Sequence, residues 1–196
     1  MSDFLVELGR NPQARKVISS LGLPVKLPPV LKRAQGPDVE RHLDGLRVIC
    51  AGLDDAPLLA NCRVVAEAAG ADVSVGDRPH ALVFDASGLA STSQLRELYD
   101  FLHPRVRGLA HCGRVVIIGR PAADSVDLEA AAAAHALRGL VRSLGKELGG
   151  KGTTANLLEV PGAAAERIGG PLRFLLGRRS AFVSGQVVSM SSLASA

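Results

Sequence analysis

The residues best placed to do chemistry stand at the ends of apolar runs. Asp85 closes the run HALVFD, and Asp54 and Asp55 follow the run LRVICAG. A lone carboxylate after a buried strand could work in a cleft, but Ser87 and Gly88 directly after Asp85 favour a turn role for it. The sequence has no P-loop, no HExxH and no GxSxG motif, so it lacks the familiar signatures of phosphate binding, zinc hydrolysis and serine hydrolysis.

The histidines and cysteines are not spaced for a metal or a redox pair. The cysteines are odd in number and form no CxxC motif, which indicates buried free thiols in a reducing compartment, so we expect a cytoplasmic protein. No apolar run approaches the roughly 18 residues that span a membrane. Aromatic residues make up only 3% of the chain, too few for base stacking, so neither membrane nor nucleic-acid partners are expected. The residues concerned are His42, His80, His103 and His111, with Cys50, Cys62 and Cys112.

Strand-like and helix-like stretches alternate from Leu46 onwards. Apolar runs predict six strands, in LRVICAG, ADVSV, HALVFD, GRVVIIG, TTANLLEV and SGQVVSM, with helical spacing between most of them. We expect Gly70 to end one helix, Ser91 or Ser93 to cap the next, and Ser125 or Asp127 to cap the long helix. Continuous apolar strands joined by helical crossovers predict an α/β fold, a doubly wound parallel sheet with α-helices on both faces.

The first 37 residues differ from the rest. Apolar residues at Phe4, Leu5 and Leu8, and again from Val17, predict one or two short amphipathic helices, broken at Asn11-Pro12. The stretch LGLPVKLPPV then brings three prolines within six residues, which favours extended chain. We therefore interpret 1–37 as an N-terminal helical arm with a Pro-rich lead, and 38–196 as the α/β domain.

Positive charge is concentrated in the second half of the chain. The net charge of the whole chain is +4. Residues 1–100 hold 11 basic and 13 acidic side chains (11 − 13 = −2), whereas 101–196 hold 12 and 6 (12 − 6 = +6). A basic half can attract an acidic partner, although such a run is also typical of a solvated surface.

Several motifs, in order, resemble those of the short-chain dehydrogenase/reductases, and among them the β-ketoacyl-carrier-protein reductases. The resemblance covers about 45–192. It rests on ASG at 86–88, GRVVIIG at 113–119, GLVRSLGKELGGKGTTANLLEVPG at 139–162 and FLLGRRSAFVSGQVVSM at 174–190. It implies a Rossmann-like fold of about six strands and, in an intact member, NAD(P)H-dependent reduction of a 3-oxoacyl thioester.

The sequence departs from this family at its catalytic positions. The family's proton-donating tyrosine and the lysine four residues later fall on Ala130 and Ala134, and its serine falls on Arg120. The asparagine of the neighbouring helix has no counterpart, because 91–110 contains no Asn. His135 follows the lysine position but points about 100° away around the helix, so we expect an ordinary helix-surface histidine. Alanine cannot move a proton, so no catalytic residue is assigned.

The family's cofactor loop is also absent. Where the family has TGxxxGxG, this sequence has CAGLDDAPLL, in which only Gly52 remains. Asp54 and Asp55 would repel the phosphates of a dinucleotide, although Pro57 suits a first helical turn. A short GDRP segment replaces the helix and strand that help to hold adenine, which predicts a lost strand and a flavodoxin-like order. No cofactor is therefore expected for this chain, and NADPH would be that of a catalytic partner.

A second resemblance accounts for these losses. The helical arm, the Pro-rich lead, the VFDASG turn, the RSLGKEL helix and the SGQV strand resemble the N-terminal, non-catalytic domain of large two-domain β-ketoacyl reductases. It implies a domain or subunit that supports assembly or substrate delivery. Two alternatives stay open: a 3-oxoacyl reductase that needs a partner's catalytic residues, and a flavodoxin-like domain that binds another nucleotide at the strand ends.

The resemblance also implies two contact surfaces. In the family, the helix matching 127–149 packs against the same helix of another subunit, so we expect a reductase-like partner or a homo-oligomer. A basic face at i, i+4 and i+8 could instead steer an acidic acyl-carrier protein. The predicted interface comprises Ala130, Ala133, Ala134, Leu137, Val141 and Gln186, and the carrier-protein contacts are Arg138, Arg142 and Lys146.

Overall fold

The computed structural model describes residues 11–20, 29–31 and 33–190. Its centre is a parallel sheet in the spatial order β1-β2-β3-β4-β5. Every residue of β2, β3 and β4 is buried, as expected for strands covered on both faces. The predicted doubly wound α/β fold is therefore confirmed. The strands are β1 (Val48–Gly52), β2 (Ala81–Asp85), β3 (Arg114–Gly119), β4 (Thr154–Glu159) and β5 (Val187–Ser189).

Helices cover both faces of the sheet. On one face α2 and α5 pack in one apolar cluster, and on the other face α3 and α4 pack in a second. The first cluster is closed by Leu172 and Leu175 and the second by Leu137 and Val141, all less than 2% exposed. Gly70, with φ +95°, ends α2 as predicted. The helices are α1 (Pro12–Ser20), α2 (Leu59–Ala68), α3 (Leu95–Leu102), α4 (Leu128–Leu148) and α5 (Gly169–Leu176).

The predicted strand ADVSV is reduced to a single bridge, so the described sheet has five strands and not six. Asp72 pairs in parallel with Arg47, on the edge of β1 that faces away from β2. The chain then turns, because Ser74 N–H donates to Asp72 Oδ1 at 2.9 Å. Asp72 Oδ2 also accepts from the Arg47 guanidinium at 2.9 Å. The flavodoxin-like position beside β1 is therefore kept, while the strand that would fill it is lost.

The helix caps were predicted with mixed success. Asp127 caps α4, since its Oδ1 accepts from Ala130 N–H at 2.8 Å, as predicted. The prediction of a serine cap for α3 was wrong. The hydroxyls of Ser91 and Ser93 bond to each other at 2.8 Å, and Gln94 Oε1 accepts from Ser91 N–H at 3.1 Å. Gln94 itself therefore closes the turn that precedes α3.

At the amino-terminal side, the predicted break at Asn11-Pro12 is the start of a helix. Asn11 Oδ1 accepts from Gln13 N–H at 2.9 Å, and proline suits the first helical position because it has no N–H to satisfy. The part of the predicted helical arm that contains Phe4, Leu5 and Leu8 lies outside the described residues.

The lead segment, defined here as 29–31 and 33–46, packs against the domain. Ala34 N–H donates to Arg178 O at 3.4 Å, and Leu43 N–H donates to Ala69 O at 2.9 Å. Leu43 is only 1% exposed and belongs to the core. The described residues of the lead segment thus lie across the amino-terminal edge of the sheet.

The cysteines are buried free thiols, as predicted. Burial raises the pKa of Cys50 to about 11 and that of Cys62 further, because a thiolate is poorly solvated there. Both thiols are therefore protonated and unreactive near neutral pH. Within the described part of the chain, no helix is long and apolar enough to cross a bilayer.

Candidate functional site at the carboxyl edge of the sheet

The carboxyl ends of β1 and β2 meet beside the start of α2. In open α/β folds, ligands bind outside the carboxyl ends of the strands at the point where the strand order reverses. Here that point is β1, which has β2 on one side and the Arg47–Asp72 bridge on the other. The backbone N–H groups at the start of α2 would be the natural donors to a phosphate at this place.

The side chain of Asp85 occupies this donor position. Asp85 is 0% exposed, and its Oδ2 accepts from Leu58 N–H at 2.6 Å, directly before α2. Its Oδ1 accepts from the N–H of Ser87 at 2.9 Å and from the Ser87 hydroxyl at 2.6 Å. The carboxylate thereby supplies from within the chain the negative charge that a ligand phosphate would bring to the helix start.

The loop after β1 packs closely against Asp85. A Cβ at Gly52 would lie 2.5 Å from Ala56 Cβ and 3.0 Å from Asp85 O, so the loop after β1 folds directly onto the end of β2. Asp54 and Asp55, in the same loop, are exposed. The turn role predicted for Asp85 is confirmed, and its further role as the cap of α2 was not predicted.

A small cavity of about 240 Å³ lies between the turn after β2, the end of β3 and the start of α4. Ala130 and Ala134 line it, and Arg120 stands at its rim. The remaining polar lining consists of Ser87, Asp124 and Ser125. None of the described lining residues is Tyr, Lys, His or Cys, and the Ser87 hydroxyl is already bonded to Asp85. The titratable side chains among the described lining residues are Asp124 and Arg120, so the cavity has a carboxylate but no side chain that readily donates a proton near neutral pH.

The inner face of α4 does not reach the surface, which corrects the predicted interface. Ala133, Leu137 and Val141 are at most 1% exposed and pack against the chain's own sheet, and Ala130 and Ala134 face the small cavity. The small side chains allow α4 to approach the sheet closely, so they serve the fold of this chain. In this structure Ala133, Leu137 and Val141 are covered by the chain's own residues and leave no surface for a partner helix. His135 is exposed, as predicted.

The predicted carrier-protein face is divided between an internal ion pair and the surface. Arg138 binds Glu159, at the end of β4, with 2.7 Å between Nη2 and Oε1. Glu159 is 2% exposed, and its Oε2 accepts from the Ser189 hydroxyl at 2.7 Å. Arg138 thus joins α4 to two strands, whereas Arg142 and Lys146 are on the outer side of the helix, where a partner could contact them.

Gln186 lies on the surface at the start of the edge strand. Its side chain is exposed, and its N–H donates to Asn156 Oδ1 at 3.1 Å. The preceding residues pack on α4, because a Cβ at Gly145 would lie 2.9 Å from Ser184 Oγ and 3.0 Å from Gly185 N. The SGQV turn therefore holds β5 against α4 within this chain, and Gln186 stays a predicted partner contact.

Sequence reasoning missed the roles of Glu159 and of Arg114. A glutamate that ends the apolar run TTANLLE was the available signal for a buried ion pair. A single arginine in the run GRVVIIG was the signal for Arg114, which is 1% exposed at the start of β3. Among the described residues there is no cluster of three metal-ligating side chains, so no metal site is assigned.

Comparison with known proteins identifies the fold of this chain but not its function. No protein-family model and no curated protein matches the sequence. Solved structures of short-chain dehydrogenase/reductases do match. The short-chain dehydrogenase/reductase from Serratia marcescens BCRC 10948 superposes with a TM-score of 0.59 at 18% identity, over 79% of this chain and 100% of the other.

Two further structures agree. BdcA (YjgI) from E. coli has a TM-score of 0.58 at 21% identity, over 76% of this chain and 100% of its own. A short chain dehydrogenase from Mycobacterium smegmatis has a TM-score of 0.62 at 15% identity, over 84% and 99%. The chain therefore has the fold of the short-chain dehydrogenase/reductases.

Proposed function

We propose that this chain is a non-catalytic, reductase-like domain or subunit that supports the assembly or substrate delivery of a β-ketoacyl reductase. The observation that carries the proposal is Asp85, whose carboxylate fills the helix start where a dinucleotide phosphate would bind. A cofactor phosphate there would have to displace a fully buried side chain and its three hydrogen bonds.

The small cavity supports the same conclusion. The positions matched to the family's tyrosine and lysine are Ala130 and Ala134, both of which line the cavity, and Arg120 replaces the serine. General acid–base catalysis needs a group whose pKa suits proton transfer, and neither alanine nor arginine provides one near neutral pH. We therefore propose that the chain keeps the fold of the reductases, while other residues replace both the cofactor-binding loop and the catalytic tyrosine and lysine.

We propose that this chain binds a partner through exposed residues of the segments that resemble the family. Val126 and Leu128, at the start of α4, are each 89% exposed. Exposed aliphatic side chains at a helix start can be covered by a partner. Val126 and Leu128 at the start of α4, and Gln186 near the other end of this helix, are the exposed positions that we propose for contact with a reductase-like partner or a second copy of this chain.

The basic outer face of α4 suits delivery of an acidic carrier. Arg142 and Lys146 lie one turn apart on this face. Electrostatic steering of this kind raises association rates by about 10- to 1,000-fold and is weakened by salt. Arg138 contributes less to this face, because Glu159 neutralises it.

The enzyme test uses the purified chain with NADPH and an acetoacetyl thioester. We expect no turnover, and no fluorescence change from a buried nicotinamide. The double variant Ala130→Tyr, Ala134→Lys should stay inactive because the cofactor place is still filled. Turnover by the unmodified chain would contradict the proposal and favour the displaced-chemistry alternative.

The delivery test measures binding of an acyl-carrier protein at low and moderate salt. Reversal of charge in Arg142→Glu, Lys146→Glu should weaken binding at low salt by about tenfold, and salt should reduce the difference. Arg96→Glu, at an exposed arginine of α3, is the control and should leave binding unchanged. Equal binding by the double variant and the wild type would remove the carrier-protein part of the proposal.

A further inference from the structure

A cavity of about 720 Å³ lies between the lead segment and α5, away from the carboxyl edge of the sheet. This volume is in the range of small-molecule sites in proteins. It extends along α5 to the residues just before β1, so it meets the amino-terminal edge of the strands. It is therefore separate from the place that Asp85 fills.

The cavity has an excess of positive charge. Five arginines line it, and the carboxylates in its lining are Asp38 and Asp44 (5 − 2 = +3). Asp38 is paired with Arg179 at 3.1 Å and Asp44 with Arg41 at 2.8 Å. Both carboxylates are thus already used. The lining arginines outside these two ion pairs are Arg33, Arg173 and Arg178.

Of these three arginines, Arg178 has the fewest interactions through its side chain. Arg173 donates to Glu40 O, and Arg33 lies 5.5 Å from the centroid of the Phe182 ring. Within the described part of the chain, the Arg178 side chain makes no hydrogen bond and no ion pair. It also lines a neighbouring cavity of about 400 Å³, so it stands where the two cavities meet.

Buried donors behind the wall add to this excess. The Arg114 guanidinium is 1% exposed and has no carboxylate partner among the described residues. It donates to the carbonyls of Gly177 at 3.0 Å and Cys112 at 2.8 Å, while its Nη2 has no partner in the described part of the structure. A buried cation without a counter-charge favours an anion nearby, because the attraction is strong where water is excluded.

The carbonyl groups that end α5 would ordinarily repel an anion, but cationic or polar donors cover them. Gly177 O accepts from Arg114 Nε and from the Ser180 hydroxyl, each at 3.0 Å. Leu176 O is bonded by His80 Nε2 at 3.1 Å, and Arg173 O by His42 Nε2 at 3.2 Å. The negative end of the helix dipole is thereby offset, so these carbonyl groups oppose an anion in the cavity less.

The lining also offers an aromatic surface. Phe174 lines the cavity and is 43% exposed, and Val39, also in the lining, is 60% exposed. An exposed phenyl ring beside several guanidinium groups suits a ligand with a planar base and a phosphate tail, since the base can stack and the phosphates can accept charged hydrogen bonds.

We propose that this arginine-lined cavity binds a nucleotide, with its phosphates at Arg178 and Arg33 and its base on Phe174. The site lies at the opposite edge of the sheet from the cofactor place of the reductase fold. It does not depend on the proposed non-catalytic function, and a chain that failed one test could still pass the other.

The test is calorimetric titration of the full chain with ADP, pyrophosphate and adenosine at low salt. We expect ADP to bind, pyrophosphate to bind more weakly, and adenosine to bind weakest. Arg178→Gln should weaken ADP binding by at least about tenfold, since a charged hydrogen bond to phosphate is lost. Arg96→Gln, an exposed arginine of α3, is the matched control and should change binding less than about twofold. Arg33→Gln tests the same wall if the first variant folds poorly.

The ring is tested separately. Phe174→Leu should weaken ADP binding by about fivefold and leave pyrophosphate unchanged, because only the base needs the ring. Absence of binding by both ADP and pyrophosphate at about 1 mM, or equal affinity of Arg178→Gln and wild type, would overturn the proposal. Nucleotide binding at the carboxyl edge of the sheet would survive Arg178→Gln, so that result would also overturn it.

Discussion

Asp85→Ala is the sharpest test of whether the Asp85 carboxylate holds the start of α2. The variant removes a carboxylate that accepts hydrogen bonds from Leu58 N–H, Ser87 N–H and the Ser87 hydroxyl. Leu58 and Ser87 are 6% and 3% exposed, so two backbone donors would be left buried without an acceptor. Each costs about 1–3 kcal/mol, and release of the buried charge offsets part of the sum, so we expect a loss of about 3 kcal/mol.

The assay is urea unfolding followed by circular dichroism. Asp85→Asn keeps the size and one acceptor but turns an amide N–H₂ toward a backbone donor, so it should lose about 2 kcal/mol. Asp100→Ala removes an exposed carboxylate that pairs with Arg96, and as the control it should lose less than about 1 kcal/mol. If the free energy of unfolding of Asp85→Ala lies within about 0.5 kcal/mol of that of the wild type, the Asp85 side chain does not hold the start of α2 and the reasoning fails.

Three further predictions concern stability. Burial lowers the pKa of His80 to about 4, below its unfolded value of 6.5, so the unfolded state binds the proton first and stability falls as the pH drops from about 6.5 toward 4. Urea unfolding should show a loss of about 2 kcal/mol between about pH 7 and pH 5 that is absent in His80→Gln, and equal losses in both proteins would contradict it. Gly52→Ala should destabilise the protein by about 2 kcal/mol, because the added Cβ overpacks the loop against Ala56. Gly139→Ala places its Cβ in open space on a helix and should stabilise the protein by up to about 1 kcal/mol. Thermal unfolding measures both variants, and the reverse order would refute the packing argument. Arg138→Met leaves the carboxylate of Glu159, which is 2% exposed, without its cation. The variant should lose about 2 kcal/mol of stability, less than for a fully buried pair because the Arg138 side chain is 35% exposed. An unchanged midpoint of urea unfolding would show that the pair does not stabilise the protein.

Hydrophobic patterning was sufficient to predict the layers of the fold. Continuous apolar runs predicted the buried strands, and the intervening helical spacing predicted crossovers on both faces, because these patterns are properties of neighbouring residues. The strand ADVSV was the exception. Its alternation was adequate, but Asp72 bonds to Ser74 and Arg47 and turns the chain after one bridge. A competing side-chain hydrogen bond of this kind is difficult to weigh from sequence alone.

The sequence by itself determined which residues stand at the positions that resemble the family's motifs, namely CAGLDDAPLL after the first strand and Ala130 and Ala134 in the long helix, since the type of a residue is read directly. Only the tertiary structure decided what surrounds these positions. It brought Asp85 from one strand to the start of a helix 27 residues earlier, and it turned Ala133 and Leu137 toward the sheet. It also gathered arginines from the lead segment and from the end of α5 around one cavity. Such groupings depend on which distant segments pack together, whereas the spacing of residues along the chain reports only local structure.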